Sequence, residues 1–354
     1  MSLSNGNFMP ENGIRHFLKD KTILVTGGTG SFGHAFARAV LRYPIRKLII
    51  LSRDEMKQYE MSQLFPGEAR IRFFIGDVRD ERRLHRAFNG VDYVIHAAAM
   101  KQVPAAEYNP FEAVKTNIHG AQNVIEAALD QKVQRVIALS TDKASSPINL
   151  YGATKLASDK LFIAGNAYAG SQDTRFAVVR YGNVVGSRGS VVPLFQRLAA
   201  TGVLPITDPR MTRFWITLEQ GVNFVLRCLQ SMHGGELFVP KIPSMRVVDL
   251  ARAIAPDARL DVVGIRPGEK LHEEMISVDD ARRTVDMGDH YVVQPELPGL
   301  AKGTLTGRPV PDDFRFASDT NHWWLTVADL RRLLNLDGSA AGHVDQWEYA
   351  GRMG

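Results

Sequence analysis

The stretch Lys21-Thr22-Ile23-Leu24-Val25-Thr26-Gly27-Gly28-Thr29-Gly30-Ser31-Phe32-Gly33 decides the fold of this chain. Its first six residues are a β-branched run that reads as a buried strand, and residues 34–42 read as a helix. Gly27, Gly30 and Gly33 lie between them with Gly-x-x-Gly-x-x-Gly spacing. The first glycines let the backbone turn tightly and approach a pyrophosphate; the last lets helix pack on strand. The helix N-terminus then faces the phosphates with unpaired N–H groups, so Thr29, Ser31 and Phe32 join the glycines as expected cofactor contacts. A lone glycine triplet is a weak signal. One set between a strand and a helix, at the head of an alternating chain, is a strong one.

Outward from that stretch the alternation continues. Strand-like runs at 47–51, 71–75, 93–96, 133–140 and 175–180 are separated by helical patterns, notably at 111–129 and 151–169. This rhythm predicts an α/β fold, a doubly wound parallel sheet of Rossmann type with ligand over the carboxyl ends of its strands. Asp77 and Val78 follow the third strand, Ala97-Ala98-Ala99 the fourth, and Thr141-Asp142-Lys143 the fifth. Past about residue 185 the rhythm loosens, with Gly186-Ser-Arg-Gly-Ser190 and prolines 205, 209, 240, 243, 256 and 267 punctuating short elements. The expected organisation is a flexible leader over 1–20 and a dinucleotide-binding domain over 21–185, to which the chain returns around 218–248. A smaller substrate-binding lobe and C-terminal segment take 186–217 and 249–354.

The second strand bears on the cofactor. It ends in Ser52-Arg53-Asp54-Glu55, where an NAD-selective site usually has an acid on the ribose 2′-hydroxyl. Ser52, Arg53 and, a turn on, Lys57 suit a 2′-phosphate instead. NADP is expected, with Asp54 keeping NAD as the less favoured alternative.

Bulk properties exclude several classes. The 354 residues are 45% hydrophobic and 23% charged, ordinary for a globular chain with a sizeable core. A formal charge of +5 spread along the chain forms no nucleic-acid stripe, so no nucleic-acid partner is expected. The single cysteine, Cys228, allows no disulfide framework and reads as a buried structural thiol. No His/Cys/Asp cluster has metal spacing, so no metal is expected. No apolar run reaches membrane-spanning length and no signal pattern opens the chain, which makes the cytoplasm the expected compartment and a membrane no partner.

Chemistry concentrates in Ser140-Thr141-Asp142-Lys143 and Tyr151-Gly-Ala-Thr-Lys155. Tyr151 and Lys155, spaced i and i+4, share one face of a helix starting near Leu150. A neighbouring ammonium lowers a phenol's pKa from about 10 toward neutrality, making Tyr151 a general base. His96 reads as a strand-end core histidine. Lys101 follows the fourth strand, in the expected crevice, and reads as a substrate contact.

Together these residues resemble the extended short-chain dehydrogenase/reductase superfamily, from about Lys21 to about Ser277. The finer resemblance is to the inverting UDP-N-acetylglucosamine 4,6-dehydratases of pseudaminic acid biosynthesis. It is carried by Ala97-Ala-Ala-Met-Lys101-Gln-Val-Pro, Lys115-Thr-Asn117, Ser140-Thr-Asp-Lys-Ala144, Asn149-Leu-Tyr-Gly-Ala-Thr-Lys155, Tyr181-Gly-Asn183, Met211-Thr-Arg213-Phe-Trp and Arg266-Pro-Gly-Glu-Lys270. Dehydratases that retain configuration at C5 carry Thr-Asp-Glu where this chain has Thr141-Asp142-Lys143. Simple 4-epimerases lack such a pair.

The resemblance implies UDP-N-acetylglucosamine as substrate, and homo-oligomers, commonly hexamers. It also implies roles: Tyr151 takes the C4 hydroxyl proton with Thr141 bonded to that hydroxyl, and Lys155 holds the nicotinamide ribose. Asp142, protonated by burial, is the acid at O6, and Lys143, neutral in an apolar or cationic setting, is the base at C5. Asn183, Arg213 and Arg266 are the diphosphate candidates, with Glu269 a substrate contact or an ion-pair partner of Lys270. A C5-retaining dehydratase, a UDP-sugar 4-epimerase and a redox-sensing NADP-binding protein are the alternatives.

Overall fold

The computed structural model describes residues 11–185, 191–296, 300, 303 and 305–336. The Gly186–Ser190 stretch, residues 1–10 of the expected leader and the segment after 336 lie outside them. Instead of a flexible leader up to residue 20, Glu11–Leu18 forms a helix, α1. Its Ile14 and Leu18 are buried in the main core, and Phe17 stacks on Tyr93 with ring centroids 4.8 Å apart. Apolar residues spaced i, i+3, i+4 make one face that only burial satisfies.

The first half alternates as the rhythm predicts: β1 (Thr22–Thr26), α2 (Ser31–Val40), β2 (Lys47–Ser52), α3 (Glu55–Gln63), β3 (Ile71–Ile75), α4 (Glu81–Phe88) and β4 (Tyr93–His96). After α5 (Val103–Tyr108), the helix expected over 111–129 is divided into α6 (Pro110–Val114), a π-helical turn (Lys115–His119) and α7 (Gly120–Asp130). Asn109 leaves helical geometry (φ −123°, ψ 65°), and Pro110, which has no N–H to donate, starts the next helix. Then follow β5 (Arg135–Leu139), α8 (Leu150–Tyr168) and β6 (Arg175–Val179).

The strands lie in the order β3-β2-β1-β4-β5-β6, all parallel, with the topological switch between β1 and β4. Ile23, Leu24 and Val25 are fully buried, as a strand covered on both faces requires. Leu237–Pro240 adds a seventh parallel strand beside β6. His290–Val293, Thr284–Asp286 and Arg308–Pro309 then extend the same sheet antiparallel. These last three fall in the range expected to be lobe. Strands this short, turning at Gly288 (φ +99°), carry no local mark of the sheet they join.

A second core gathers Val192, Phe195, Leu204, Met211, Trp215 and Leu250 away from the main sheet. Around it are two-stranded pairs, Val203–Ile206 with Arg259–Val262 and Thr212–Phe214 with Ser244–Arg246. Glu274–Ile276 pairs with Phe316–Ala317. Arg180 Nη1 donates to the Met275 carbonyl at 3.0 Å, tying that segment to the end of β6. Cys228 is fully buried, and burial pushes its thiol pKa up. Among the described residues no helix is long and apolar enough to cross a membrane.

Candidate active site

The glycine turn is shaped by close backbone approach. Gly27 has φ +64°, and a Cβ there would stand 2.8 Å from Ala98 Cα, so the Ala97–Ala99 loop crosses directly above it. A Cβ on Gly33 would stand 1.9 Å from the Gly28 carbonyl oxygen, because α2 packs onto the turn it follows. Gly30 caps α2 without a side-chain hydrogen bond, leaving the first-turn N–H groups facing outward.

From this turn runs a cleft of ≈ 570 Å³. It is lined by Gly27, Thr29, Gly30, Ser31, Phe32, Ser52, Arg53, Lys57, Asp77, Val78, Ala97, Ala98, Ala99, Lys101, Thr141, Asp142, Lys143, Tyr151, Lys155 and Asn183. The parallel order brings the carboxyl ends of β1 to β6 to one edge, so residues as distant in sequence as Gly27 and Asn183 meet there. A cradle that any Cβ would fill, beside outward N–H groups, fits a dinucleotide pyrophosphate. Gly33 lies behind the lining, as its packing role requires.

At the second strand's end, Ser52 Oγ accepts from Gln58 Nε2 at 3.0 Å. Asp54 caps α3 by accepting from Lys57 N at 3.0 Å and also pairs with Lys57 Nζ at 3.0 Å. Arg53 keeps its side chain 61% exposed, 3.6 Å from Asp77. Burial would raise the Asp77 pKa, but hydrogen bonds from Arg79 outweigh it and hold the carboxyl low.

At the other end, Asn149 caps α8, its Oδ1 accepting from Gly152 N at 2.8 Å, which puts Tyr151 in the first turn and Lys155 one turn on. Burial pushes the Tyr151 phenol up to about 12, opposed first by the charge of Lys143 and then by Thr141. The expected lowering by Lys155 is therefore corrected: the cation that acts on this phenol is Lys143. Burial lowers the Lys155 pKa, partly offset by Asp159. Asp159 is itself held by Ser140 Oγ at 2.6 Å and Arg180 Nη2 at 3.1 Å. His96 is buried against Thr26 (2.8 Å) and pushed down to about 3 by desolvation, a neutral core residue.

Asp142 is 1% exposed and burial pushes its pKa up, so it favours the protonated form. Lys143 departs from the expected neutral amine. Its Nζ lies 3.1 Å from both Asp142 Oδ1 and Glu273 Oε1. Burial works to deprotonate it, but the neighbouring acids Asp142 and Glu273 outweigh that and move its pKa up. Asn183 Oδ1 stands 3.5 Å from the same ammonium. Partial desolvation lowers the pKa of Lys101 at the rim.

Two diphosphate candidates differ from expectation. Arg213 is 5% exposed and off the cleft lining, engaged with Glu269 (3.2 Å), Glu273 (3.6 Å) and the Thr212 and Leu271 carbonyls. Its donors are committed internally, and Glu269 pairs with Arg213 rather than Lys270. Arg266 lies in an exposed loop outside the lining. That loop is tied to the catalytic helix by Asn149 Nδ2 donating to the Gly268 carbonyl at 2.7 Å.

Sequence reading missed Glu273 and Asp159, and gave no role to Tyr181 and Asn117, which it had quoted only as part of the resemblance. Asn117, in the π-helical turn, exchanges hydrogen bonds with Met100 and donates to Thr154 Oγ1, pinning the loop before Lys101 to α8. The acidic pair Glu273-Glu274 was visible in the sequence, but nothing local distinguishes it from a solvated loop.

Residues 23–295 match the polysaccharide biosynthesis protein family. The chain belongs to this family. Within the polysaccharide biosynthesis family it is 55% identical to UDP-N-acetylglucosamine 4,6-dehydratase (inverting) of Campylobacter jejuni, over 89% of this chain and 97% of that protein. The structure resembles Pen from Bacillus thuringiensis with TM-score 0.83 and 36% identity, covering 90% of this chain and 99% of that one. It also resembles DesIV, a dTDP-glucose 4,6-dehydratase from Streptomyces venezuelae solved with NAD and TYD bound, with TM-score 0.63 and 26% identity. That match covers 71% of this chain and 86% of DesIV.

Proposed function

We propose that this chain is a C5-inverting UDP-N-acetylglucosamine 4,6-dehydratase with a bound nicotinamide dinucleotide. The observation that carries the reading is the set Thr141, Asp142, Lys143, Tyr151 and Lys155 lining the same cleft as the glycine cradle. The C. jejuni relative, aligned over nearly its full length, supports the substrate and the inverting outcome.

When bound, the dinucleotide would supply the hydride acceptor for C4, the donor for C6 and a cationic ring able to lower the pKa of a nearby phenol. Tyr151 removes the C4 hydroxyl proton, with Thr141 bonded to the same oxygen and Lys155 placed for the ribose. The C4 ketone acidifies C5. Asp142, already favouring its protonated form, donates to the departing O6. Lys143 is the group placed to accept the C5 proton, and Lys101 and Asn183 lie along the remaining wall. Loss of water across C5 and C6, with the bound dinucleotide as hydride donor to C6, would give a UDP-4-keto-6-deoxy-L-hexulose, the opening step of a pseudaminic-acid-type route.

NADP is the favoured dinucleotide. Asp54 is committed to capping α3 and to Lys57, while the Arg53 guanidinium is exposed at the cleft, available to a 2′-phosphate. Assembly as a homo-oligomer, a hexamer by family resemblance, is part of the same reading, as is a cytoplasmic location; light scattering at micromolar concentration tests the first.

The deciding experiment incubates the protein with UDP-N-acetylglucosamine in D2O and follows the sugar by NMR. The expected product shows a 4-ketone, a 6-methyl signal, solvent deuterium at C5 and the L-configuration there. A product without a 6-methyl signal would identify a 4-epimerase instead, and retained D-configuration would identify a retaining dehydratase.

A further inference from the structure

Glu273 is a buried acid to which the reaction above gives no task. It is 1% exposed and lies behind the cleft lining, 130 positions from Lys143 in sequence. Its backbone is fixed on both sides: Glu273 N donates to Ser318 Oγ at 2.9 Å, and Ser318 N donates to the Glu273 carbonyl at 2.8 Å. The side chain is aimed inward, with Oε1 3.1 Å from Lys143 Nζ and 3.6 Å from Arg213 Nε. Oε2 is buried and has no hydrogen-bond partner among the described residues.

Lys143 presents a complementary difficulty. An ammonium held 3.1 Å from the ionised Glu273 cannot accept a proton from carbon. We infer that Glu273 is the positioning residue and proton partner of Lys143, taking one ammonium proton so that a neutral amine faces C5. This rests on the dehydratase reading above. The proton moves from Lys143 Nζ to Glu273, leaving both neutral. The amine then takes the C5 proton, and the C5–H electron pair becomes the C5–C6 double bond. The C6–O bond breaks with its electron pair, and that oxygen takes the Asp142 proton and leaves as water. Lys143 ends as ammonium, Asp142 as carboxylate and Glu273 as neutral acid, with the summed charge of the three unchanged.

The surrounding charges support the assignment. Glu273 faces Lys143 and, beyond it, Asp142 and Tyr151; Arg213, with Glu269 behind it, and Lys270 from the flanking loop complete the set. Neighbouring His272 is turned to Thr212 (2.8 Å), and Glu274 to Ser145 and Ser146, with Arg315 3.9 Å from it. Burial would raise the Glu273 pKa, but Lys143 and Arg213 outweigh it, so Glu273 rests ionised while Asp142 favours its proton.

The test compares wild type with Glu273→Gln and Glu273→Asp, using UDP-N-acetylglucosamine and NADP, from pH 7 to 10. C4 oxidation is read as transient reduced-nicotinamide absorbance, and elimination as 6-methyl product by NMR. Wild-type elimination is expected to be flat with pH. Glu273→Gln should eliminate about 10²-fold more slowly at pH 7, accumulate reduced cofactor, and recover as pH rises, because solvent then deprotonates Lys143 in place of Glu273. Glu273→Asp, which keeps a carboxylate, should recover part of the rate with a flat profile; it serves alone if the glutamine variant does not fold. A pH-independent defect in Glu273→Gln, an equal loss of C4 oxidation, or wild-type elimination would overturn the inference. So would a Glu273→Asp profile that rises with pH. A wild type that makes no 4-keto product overturns the dehydratase reading itself, an outcome seen before any variant is compared.

Discussion

At one end of the cleft the shape comes from missing side chains, at the other from charges. The dinucleotide end is a backbone construction: Gly27 beneath Ala98, Gly33 against Gly28, α2 presenting its N–H groups. The sugar end is an ionic one, with Lys143 between Asp142 and Glu273 and Arg213 behind them. The first is assembled from neighbours in sequence and is fixed by sterics, so proton activity barely touches it. The second is assembled from residues up to 131 positions apart in sequence, Asp142 to Glu273, and its chemistry depends on where each proton sits. A cleft built this way holds its cofactor rigidly while keeping the reacting end adjustable by small electrostatic changes.

The largest effect should come where the two ends meet. Tyr151→Phe removes the base while leaving the cradle intact, so turnover should fall by about 10²–10⁴-fold or more, with dinucleotide affinity unchanged by calorimetry. Turnover near the wild-type rate would show that the base is another group and that the two ends are not joined through this phenol. Next comes the cradle itself. Gly33→Ala places a methyl 1.9 Å from the Gly28 oxygen, and the forced backbone shift should cost about 1–3 kcal/mol of stability together with dinucleotide binding. Urea unfolding indistinguishable from wild type would break the view that sterics govern this end.

A smaller effect sharpens the cofactor question. Arg53→Ala should weaken NADP about tenfold, the scale of one charge-assisted hydrogen bond, and leave NAD unaffected. Equal losses for both cofactors in calorimetry would place Arg53 away from the 2′-phosphate. The smallest tests the claim that the backbone-built end ignores pH. His96, under that end, is its exception: its pKa in the fold is about 3 against an ordinary 6.5. The unfolded chain binds the extra proton first as pH falls, so stability is full above about 6.5 and declines from there toward pH 3. Between pH 7 and 6 the loss should be about 0.7 kcal/mol, by single-site linkage with an unfolded pKa near 6.5. His96→Asn should abolish it in urea titrations. A His96→Asn variant that loses the same stability would mean that other buried groups dominate.

The sequence by itself determined the dinucleotide half, because turn, cradle and helix start are local. Three spaced glycines after a β-branched strand allow few conformations, and period-two and period-3.6 patterns place the flanking elements. It also determined that Asp142, Lys143, Tyr151 and Lys155 would share a wall, since strand ends in a parallel sheet converge. Charge state was a different matter. A lysine's pKa depends on which groups fold against it, and Glu273 reaches Lys143 only through the packing of Glu274–Ile276 beside β6. The same holds for Arg213, which looked free for a phosphate until tertiary contacts committed its donors to Glu269, Glu273 and two carbonyls. It holds as well for the late strands that joined the main sheet. Local rules fix backbone shape because sterics act within a few residues; ionisation follows from contacts between distant ones, and those exist only in the folded chain.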